Sequence, residues 1–457
     1  MPSLYPDASA LLADPLALLA ACIRAGDPVV PLRLPFIRAY VLLDPADIER
    51  VLVTDNDQFV KPTWLRTRAV KRLLGDGLVT ADGDEWREQR RTCQPAFHGR
   101  MMAAYAATIQ RVALRNVDSW RADQTVHLLH AMTAMTMEII GETMLGDPMT
   151  AERDRLCAIM DTLMTSFRAC YKAFGLAPLP PTPGEYIAGR ELDRLVDTVI
   201  DRAAKNVALG QQTLLEILLG DTDLPQGSPR VVPQSLRLSY RRGGDPLPSG
   251  EERFFSALSR KALREQAKTF IAAGHESSAL LLTWLFIQLS AKPEIAARIA
   301  AEVGGTVPLW DSLDTLPYLQ ATIKEALRLY PPLWMTGRRT LRPITLSGHA
   351  IPAGALLLTS QWAVQRHPAY YAQPDEFRPE RWLTDETAAL PRFAYFPFGG
   401  GPRSCIGQRF ATIEIATIAA TILQRFRLDV SCGVPIMPAA TMTLRPPAEA
   451  IATVYTR

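Results

Sequence analysis

Apolar side chains recur with a period near 3.6 along most of this chain. Glu85 to Asp118, Leu128 to Leu145, Arg153 to Tyr171, Glu191 to Leu218, Arg260 to Leu289 and Ile406 to Phe426 all show it, the signature of helices that bury one face. Period-two segments are short and paired: Val29 to Leu34 with Tyr40 to Leu43, and Ile344 to Ile351 with Ala355 to Ser360, plus Ile451 to Tyr455 near the end. The pattern predicts a mainly α fold with small peripheral sheets and no central one. No internal repeat or compositional break marks a second domain, so residues 1–457 are expected to form one. Between Asp223 and Arg253, Pro, Gly, Ser and Arg crowd together, which predicts a long flexible loop ahead of the Arg260 helix.

Composition narrows the class. The chain is 48% hydrophobic and 21% charged, enough for a large core and far from the profile of a disordered chain. A net charge of +3 argues against a partner bound by phosphate neutralisation, so no nucleic acid is expected. The six cysteines (Cys22, Cys93, Cys157, Cys170, Cys405, Cys432) are scattered without a C-x-x-C pair. Neither a zinc ribbon nor a disulfide framework is indicated, which fits a reducing cytoplasm. The apolar run from Leu11 to Ala21 is interrupted at Asp14-Pro15 and has no Lys or Arg before it. It is too short to span a bilayer and lacks the charge of a signal peptide, so a soluble protein is expected.

The sharpest chemical signal is Phe396-Pro-Phe-Gly-Gly-Gly-Pro-Arg-Ser-Cys405-Ile-Gly. A glycine-rich loop here delivers one cysteine to the start of an apolar helix. Gly399, Gly400 and Gly401 permit a tight bend, and free N–H groups at the helix start stabilise a thiolate. A lone cysteine is ordinarily a small buried hydrophobe; the surroundings of Cys405 point to a metal ligand instead.

Phe398, Gly401, Arg403, Cys405 and Gly407 fill all five fixed positions of F-x-x-G-x-R-x-C-x-G, and in this the chain resembles the cytochrome P-450 family. Chance would produce that match in roughly one chain in ten thousand or fewer. Further segments in family order extend the resemblance from about Asp82 to Gly407. Glu325 and Arg328 look like the family's E-x-x-R pair, three residues apart on one helix face, and Arg381 in Phe377-Arg-Pro-Glu-Arg381-Trp382 resembles the second arginine of that cluster. The resemblance gives these three a structural role. Ala273-Gly274-His275-Glu276-Ser277 is similar to the oxygen-binding A-G-x-E-T stretch, with serine where threonine is commonest. It implies that Gly274 allows the helix to widen locally and that Glu276 and Ser277 pass protons to the reacting oxygen. His275 falls at the variable position. Serine keeps the hydroxyl but loses the β-branch that fixes its rotamer, so a somewhat leaky oxygen activation is expected. Trp86 and Arg90 match W-x-x-x-R, and with Arg338 and Arg403 they would face the haem propionates.

The resemblance implies a cytochrome P-450 fold, a helical bundle around haem b with Cys405 as proximal thiolate and O2 as cosubstrate. It implies a monooxygenase that hydroxylates or epoxidises a hydrophobic small molecule: a terpenoid, steroid, fatty acid or aromatic. Pocket walls would come from Trp64 to Leu78, Met164 to Leu179, Phe270 and Ala273, Trp334 to Thr336 with Met335 between them, and Thr441 to Leu444, which includes Met442 and Thr443. The chain has no flavin or pyridine-nucleotide fingerprint, so electrons are expected from a ferredoxin or flavodoxin-like donor with its reductase. Arg87, Arg91, Arg100 and Arg409 would form a basic docking patch. A haem-thiolate isomerase, dehydratase or peroxygenase stays open as an alternative, and more remotely a haem-based gas sensor.

Overall fold

The longest apolar run becomes the helix on which most others pack. The structure is a computed structural model that describes residues 14–34, 37–172, 182–206, 213–219, 259–304 and 310–457. Its N-terminal half holds helix α1 (Pro15–Ala25), strands β1 (Val29–Leu34), β2 (Ile37–Leu42) and β3 (Phe59–Val60), then helices α2 (Arg68–Leu74), α3 (Gly83–Cys93) and α4 (Gly99–Asp118). Strand β4 (Thr125–His127) leads into α5 (Leu128–Ile140), α6 (Arg153–Lys172), α7 (Pro183–Asn206) and α8 (Leu214–Leu219). Helix α9 (Arg260–Ala291) is followed by α10 (Pro293–Val303), α11 (Pro317–Leu329), and strands β5 (Thr336–Thr340), β6 (Ile344–Leu346), β7 (His349–Ile351) and β8 (Leu356–Thr359). Helix α12 (Gln408–Arg425) and strands β9 (Phe426–Ser431), β10 (Ala439–Ala440), β11 (Leu444–Arg445) and β12 (Ile451–Thr456) complete it.

Helix α9 starts where Ser259 accepts a hydrogen bond from the Ala262 N–H, satisfying one of the free donors of the first turn. It runs 32 residues and is buried almost all round from Ser278 to Leu285, packing along α5 and against α2, α7, α10, α11 and α12. Among the described residues it alone is long and apolar enough to cross a membrane, but 83% of its apolar window lies inside the protein. A second, smaller core forms where α1 and the Trp334 segment cover a five-stranded sheet of order β1-β2-β8-β5-β3.

Several predicted elements are redrawn by packing and local chemistry. The periodic run from Glu85 to Asp118 is two helices, because Pro95 lacks the N–H that would continue the ladder and sits in a 3-10 turn at Gln94–Phe97. The run from Glu191 to Leu218 also divides: α7 begins at Pro183, residues 207–212 are outside the described set, and α8 opens with a reciprocal cap between Thr213 and Glu216. Ile344 to Ile351 does not pair with Ala355 to Ser360. Ser347 and Gly348 both take positive φ, 41° and 80°, so the first segment folds on itself as the β6–β7 hairpin. Strand β8 is buried at every position and lies inside the larger sheet, parallel to β2 and antiparallel to β5. The expected loop at 223–253 lies outside the described residues.

Candidate functional site

The cysteine loop is shaped by close backbone approach. Gly401 has φ +65°, and a Cβ there would come within 1.9 Å of the Leu52 carbonyl oxygen, so any side chain is excluded by both torsion and space. The Cys405 N–H donates to Phe398 O at 2.9 Å, and the Ala411 N–H closes the first turn of α12 on Gly407 O at 2.8 Å. Cys405 is exposed although α12 is buried from Ile413 to Leu423, so its side chain faces an open cleft. The dense protein behind it raises the thiol pKa, against which the Gly407 N–H and the Arg90 charge pull it down.

Arg90 lies on this side too. It donates to Ser404 O at 2.8 Å and to Gln94 Oε1 at 3.1 Å, so it braces the cysteine loop, where a propionate partner was expected.

A cationic cluster flanks the cleft. The Arg403 guanidinium lies 3.8 Å over the Trp86 ring, donates to Ala81 O at 3.0 Å and pairs with Asp82. Lys61 turns its Nζ onto the carbonyls of Val79 and Ala81. Burial, then the charges of Arg403 and Arg338, push its pKa down to about 7. Arg338 is also lowered by burial, and its side chain donates to Gly337 O. Asp82 is the carboxylate found beside all three cations. Three crowded, partly desolvated cations with one carboxylate are under-neutralised, and two further carboxylates, those of a haem, would complete them. The residues therefore fit the cofactor.

Helix α9 forms the opposite wall. Phe270 stacks on Phe97 at 5.8 Å, and Phe97 in turn lies 3.7 Å from where a Cβ on Gly407 would be. One aromatic pair thus ties the helix to the cysteine loop. One turn on, Ala273 is exposed and Ser277 half-buried while Ala272, His275, Glu276 and Ser278 around them are buried, so Ala273 and Ser277 face the cleft. The Ser277 hydroxyl donates to Ala273 O at 2.8 Å. Gly274 does not widen the helix, which stays α-helical throughout. Its missing Cβ instead admits Ile140 of α5, whose Cδ1 lies 2.4 Å from the would-be position. His275 is buried away from the cleft with Nδ1 2.6 Å from Ile271 O, and burial lowers its pKa to about 4; it is no iron ligand.

Glu276 is buried and turns from Ser277 toward the C-terminal hairpin. Its Oε1 accepts from Thr443 Oγ1 at 3.2 Å and lies 3.5 Å from Arg445 Nε, while Oε2 is buried with no hydrogen bond to any described residue. Burial raises its pKa, and Arg445 and Thr443 offset part of that rise.

Behind the cysteine loop, Glu325, Arg328 and Arg381 come together as expected, all 0–1% exposed. Glu325 accepts from Arg328 Nε and Nη2, Arg381 Nε, Trp382 Nε1 and the Arg378 N–H, all between 2.8 and 3.0 Å. Arg328 also donates to the carbonyls of Gln365, Pro374 and Glu376. Gln365, which no motif marks, extends this lattice toward the cysteine loop by accepting from the Phe396 N–H at 3.0 Å.

The expected pocket walls are only partly assembled. Met335, Met442 and Thr443 are half-buried and Phe270 is 7% exposed, but Trp334 is 1% exposed in the second core, its Nε1 donating to Thr441 O. Its ring is a structural anchor and not a wall, because the indole needs both apolar cover and an acceptor. Residues 173–179 of the expected Met164 to Leu179 wall lie outside the described set. Lys61 and Arg445 are the residues that sequence reasoning missed; neither carries a motif, and only folding shows their neighbours.

The fold and this site together define a haem-thiolate oxygenase. The family model for cytochrome P450 matches residues 14–454, and the chain belongs to that family. It is a monooxygenase that uses haem with a cysteine thiolate and O2 on hydrophobic molecules. It is 32% identical to a cyclooctat-9-en-7-ol 5-monooxygenase of Streptomyces melanosporofaciens, over 92% of this chain and 86% of that protein. It is 31% identical to a pentalenene oxygenase of Streptomyces avermitilis, over 96% and 92% respectively. A six-coordinated cytochrome P450 from Thermus thermophilus superposes with a TM-score of 0.69 at 26% identity, covering 96% of this chain and 98% of that one.

Proposed function

We propose that this monooxygenase oxidises a cyclic terpenoid hydrocarbon or a sparsely hydroxylated derivative of one. The reading is carried by the cleft wall of α9, where Ala273 offers a small apolar surface beside a single hydroxyl at Ser277. Such a wall recognises shape more than charge. The substrates in the names of the two Streptomyces relatives are cyclic alkenes or alcohols, which supports the same class.

Cys405 is the thiolate for the iron in this proposal, and Lys61, Arg338 and Arg403 hold the propionates, with Trp86 beneath Arg403. Bound haem supplies the redox chemistry that cleaves O2 and places one oxygen atom in the substrate. Arg90 and the Gly407 N–H favour the anionic form of the sulfur against the opposing pull of burial, and binding to the iron would complete its ionisation. Ser277 presents a hydroxyl to the cleft, and Glu276 stores the proton that Ser277 passes on. Met335, Met442 and Phe270 exclude water from the reacting centre.

Electrons arrive, in this reading, from a ferredoxin or flavodoxin-like protein with its reductase. It would dock over Arg87, Arg91, Arg100 and Arg409, all exposed. The chain acts as one soluble cytoplasmic domain. Titrating the ferric protein with cyclic terpenes, fatty acids, steroids and small aromatics while following the Soret spin-state shift tests the substrate class. A saturable shift with the terpenes, followed by oxygenated product that needs both NAD(P)H and the ferredoxin pair, is the expected result. A shift confined to fatty acids or steroids overturns it.

A further inference from the structure

The C-terminal hairpin carries a group aimed at the proton store. Strand β11 places Arg445 Nε 3.5 Å from Glu276 Oε1, and Thr443 of the same hairpin donates to that oxygen at 3.2 Å. Arg445 is held from the other side by α6, where Nη1 bonds Asp161 Oδ1 at 2.9 Å, and Asp161 is 63% exposed. A line of charged side chains therefore runs from solvent through Asp161 and Arg445 to Glu276, one residue from the cleft-facing Ser277. Two buried atoms on this line, Glu276 Oε2 and Arg445 Nε, make no hydrogen bond among the described residues. A buried polar atom left unpaired is costly, so an incomplete pair at this depth calls for a role beyond holding the fold. Arginine does not release its proton, which excludes Arg445 as a relay member. It can set the charge and the direction of Glu276.

We propose that Arg445, with Thr443, is the positioning residue for proton delivery by Glu276, and that through it the hairpin beside the cleft governs how readily Glu276 serves Ser277. The inference rests on Glu276 being the proton store. The groups that face Glu276 are Thr443 and Arg445 from the hairpin and Asp161 from α6.

The test uses the haem-loaded full chain and four variants: Arg445→Gln, Arg445→Lys, Thr443→Val and Glu276→Gln. An unchanged Soret band and thermal midpoint show that each is folded. The first readout is the infrared carbonyl band of protonated Glu276, identified by its loss in Glu276→Gln and followed against pH without turnover. Its midpoint should rise by roughly one pH unit in Arg445→Gln, the size expected when a nearby opposite charge is removed. It should return toward wild type in Arg445→Lys and rise less in Thr443→Val.

The second readout is product formed per NAD(P)H, with peroxide as the leak. It should fall severalfold in Arg445→Gln, recover in Arg445→Lys, and show no further fall when Arg445→Gln is added to Glu276→Gln. An Arg445→Gln protein with unchanged midpoint and unchanged coupling overturns the proposal. If the midpoint moves but Glu276→Gln couples as well as wild type, the electrostatic hold on Glu276 is real, the proton-store reading is wrong, and the positioning role falls with it.

Discussion

Glu325 and Glu276 are both buried glutamates with an arginine beside them, yet the protein treats them in opposite ways. At Glu325 burial alone would raise the pKa, but hydrogen bonds and charge from Arg328, then the Arg378 N–H and Arg381, hold it below the usual carboxylate range. At Glu276 burial prevails, because Arg445 stands off at 3.5 Å and one oxygen has no donor. A saturated carboxylate is fixed in charge and direction, which suits a scaffold. One left short of donors can gain and lose a proton, which suits a reaction.

Glu325 should give the largest effect. Glu325→Gln or Arg328→Leu leaves buried charge without its partner and should destabilise by about 3–5 kcal/mol, with loss of the Soret band, measured by denaturant unfolding. The cysteine loop comes next. Gly401→Ala forces a Cβ onto Leu52 O and should prevent haem retention, whereas Gly399→Ala, with φ +70° but open space around it, should cost only about 1 kcal/mol. Glu276→Gln should keep the unfolding midpoint at or above that of wild type, since it removes a charge that burial disfavours, while lowering kcat by about a hundredfold, the scale of one general acid.

A pH series sharpens the contrast. Glu325, lowered on folding, contributes stability that is present above the ordinary carboxylate pKa and disappears as pH falls through its folded value. Glu276, raised on folding, contributes at low pH and loses that contribution as pH rises toward its folded value. Glu414 on α12 behaves like Glu276: it is fully buried, neither oxygen makes a well-formed hydrogen bond, the Ser278 hydroxyl is near, and burial pushes it up to about 8. The melting point of Glu414→Gln relative to wild type should therefore climb from near pH 5 to pH 8 and then level off. An advantage that shrinks over that range would contradict the assignment. The smallest effect is expected from Ser277→Thr, which adds a β-branch to the hydroxyl and should raise product per reducing equivalent modestly.

Much of the site was legible because its parts are local. The glycines that bend the loop, the cysteine they deliver and the helix that follows are contiguous, and Glu325 with Arg328 needs only one helical turn to meet. The errors fell where local signals run out. The apolar run of β8 looks the same whether it pairs with the segment before it or enters a sheet between β2 and β5. Trp334 reads as a wall by its place in the chain, but its indole N–H is spent on Thr441 O, more than a hundred residues away. Gly274 reads as a helix loosener until Ile140 is seen filling its space.

The helical class, the thiolate loop, the Glu325–Arg328 pair and the cleft-facing segment at Ala273 are written locally in the chain, since backbone torsion and residue periodicity act over a few positions. That Lys61 joins the propionate-side cations, that Arg90 braces Ser404 and that Arg445 reaches Glu276 follows from long-range packing alone. Arg90 and Ser404 alone stand 314 positions apart, and charge, burial and pKa arise from such neighbours, which no stretch of sequence contains.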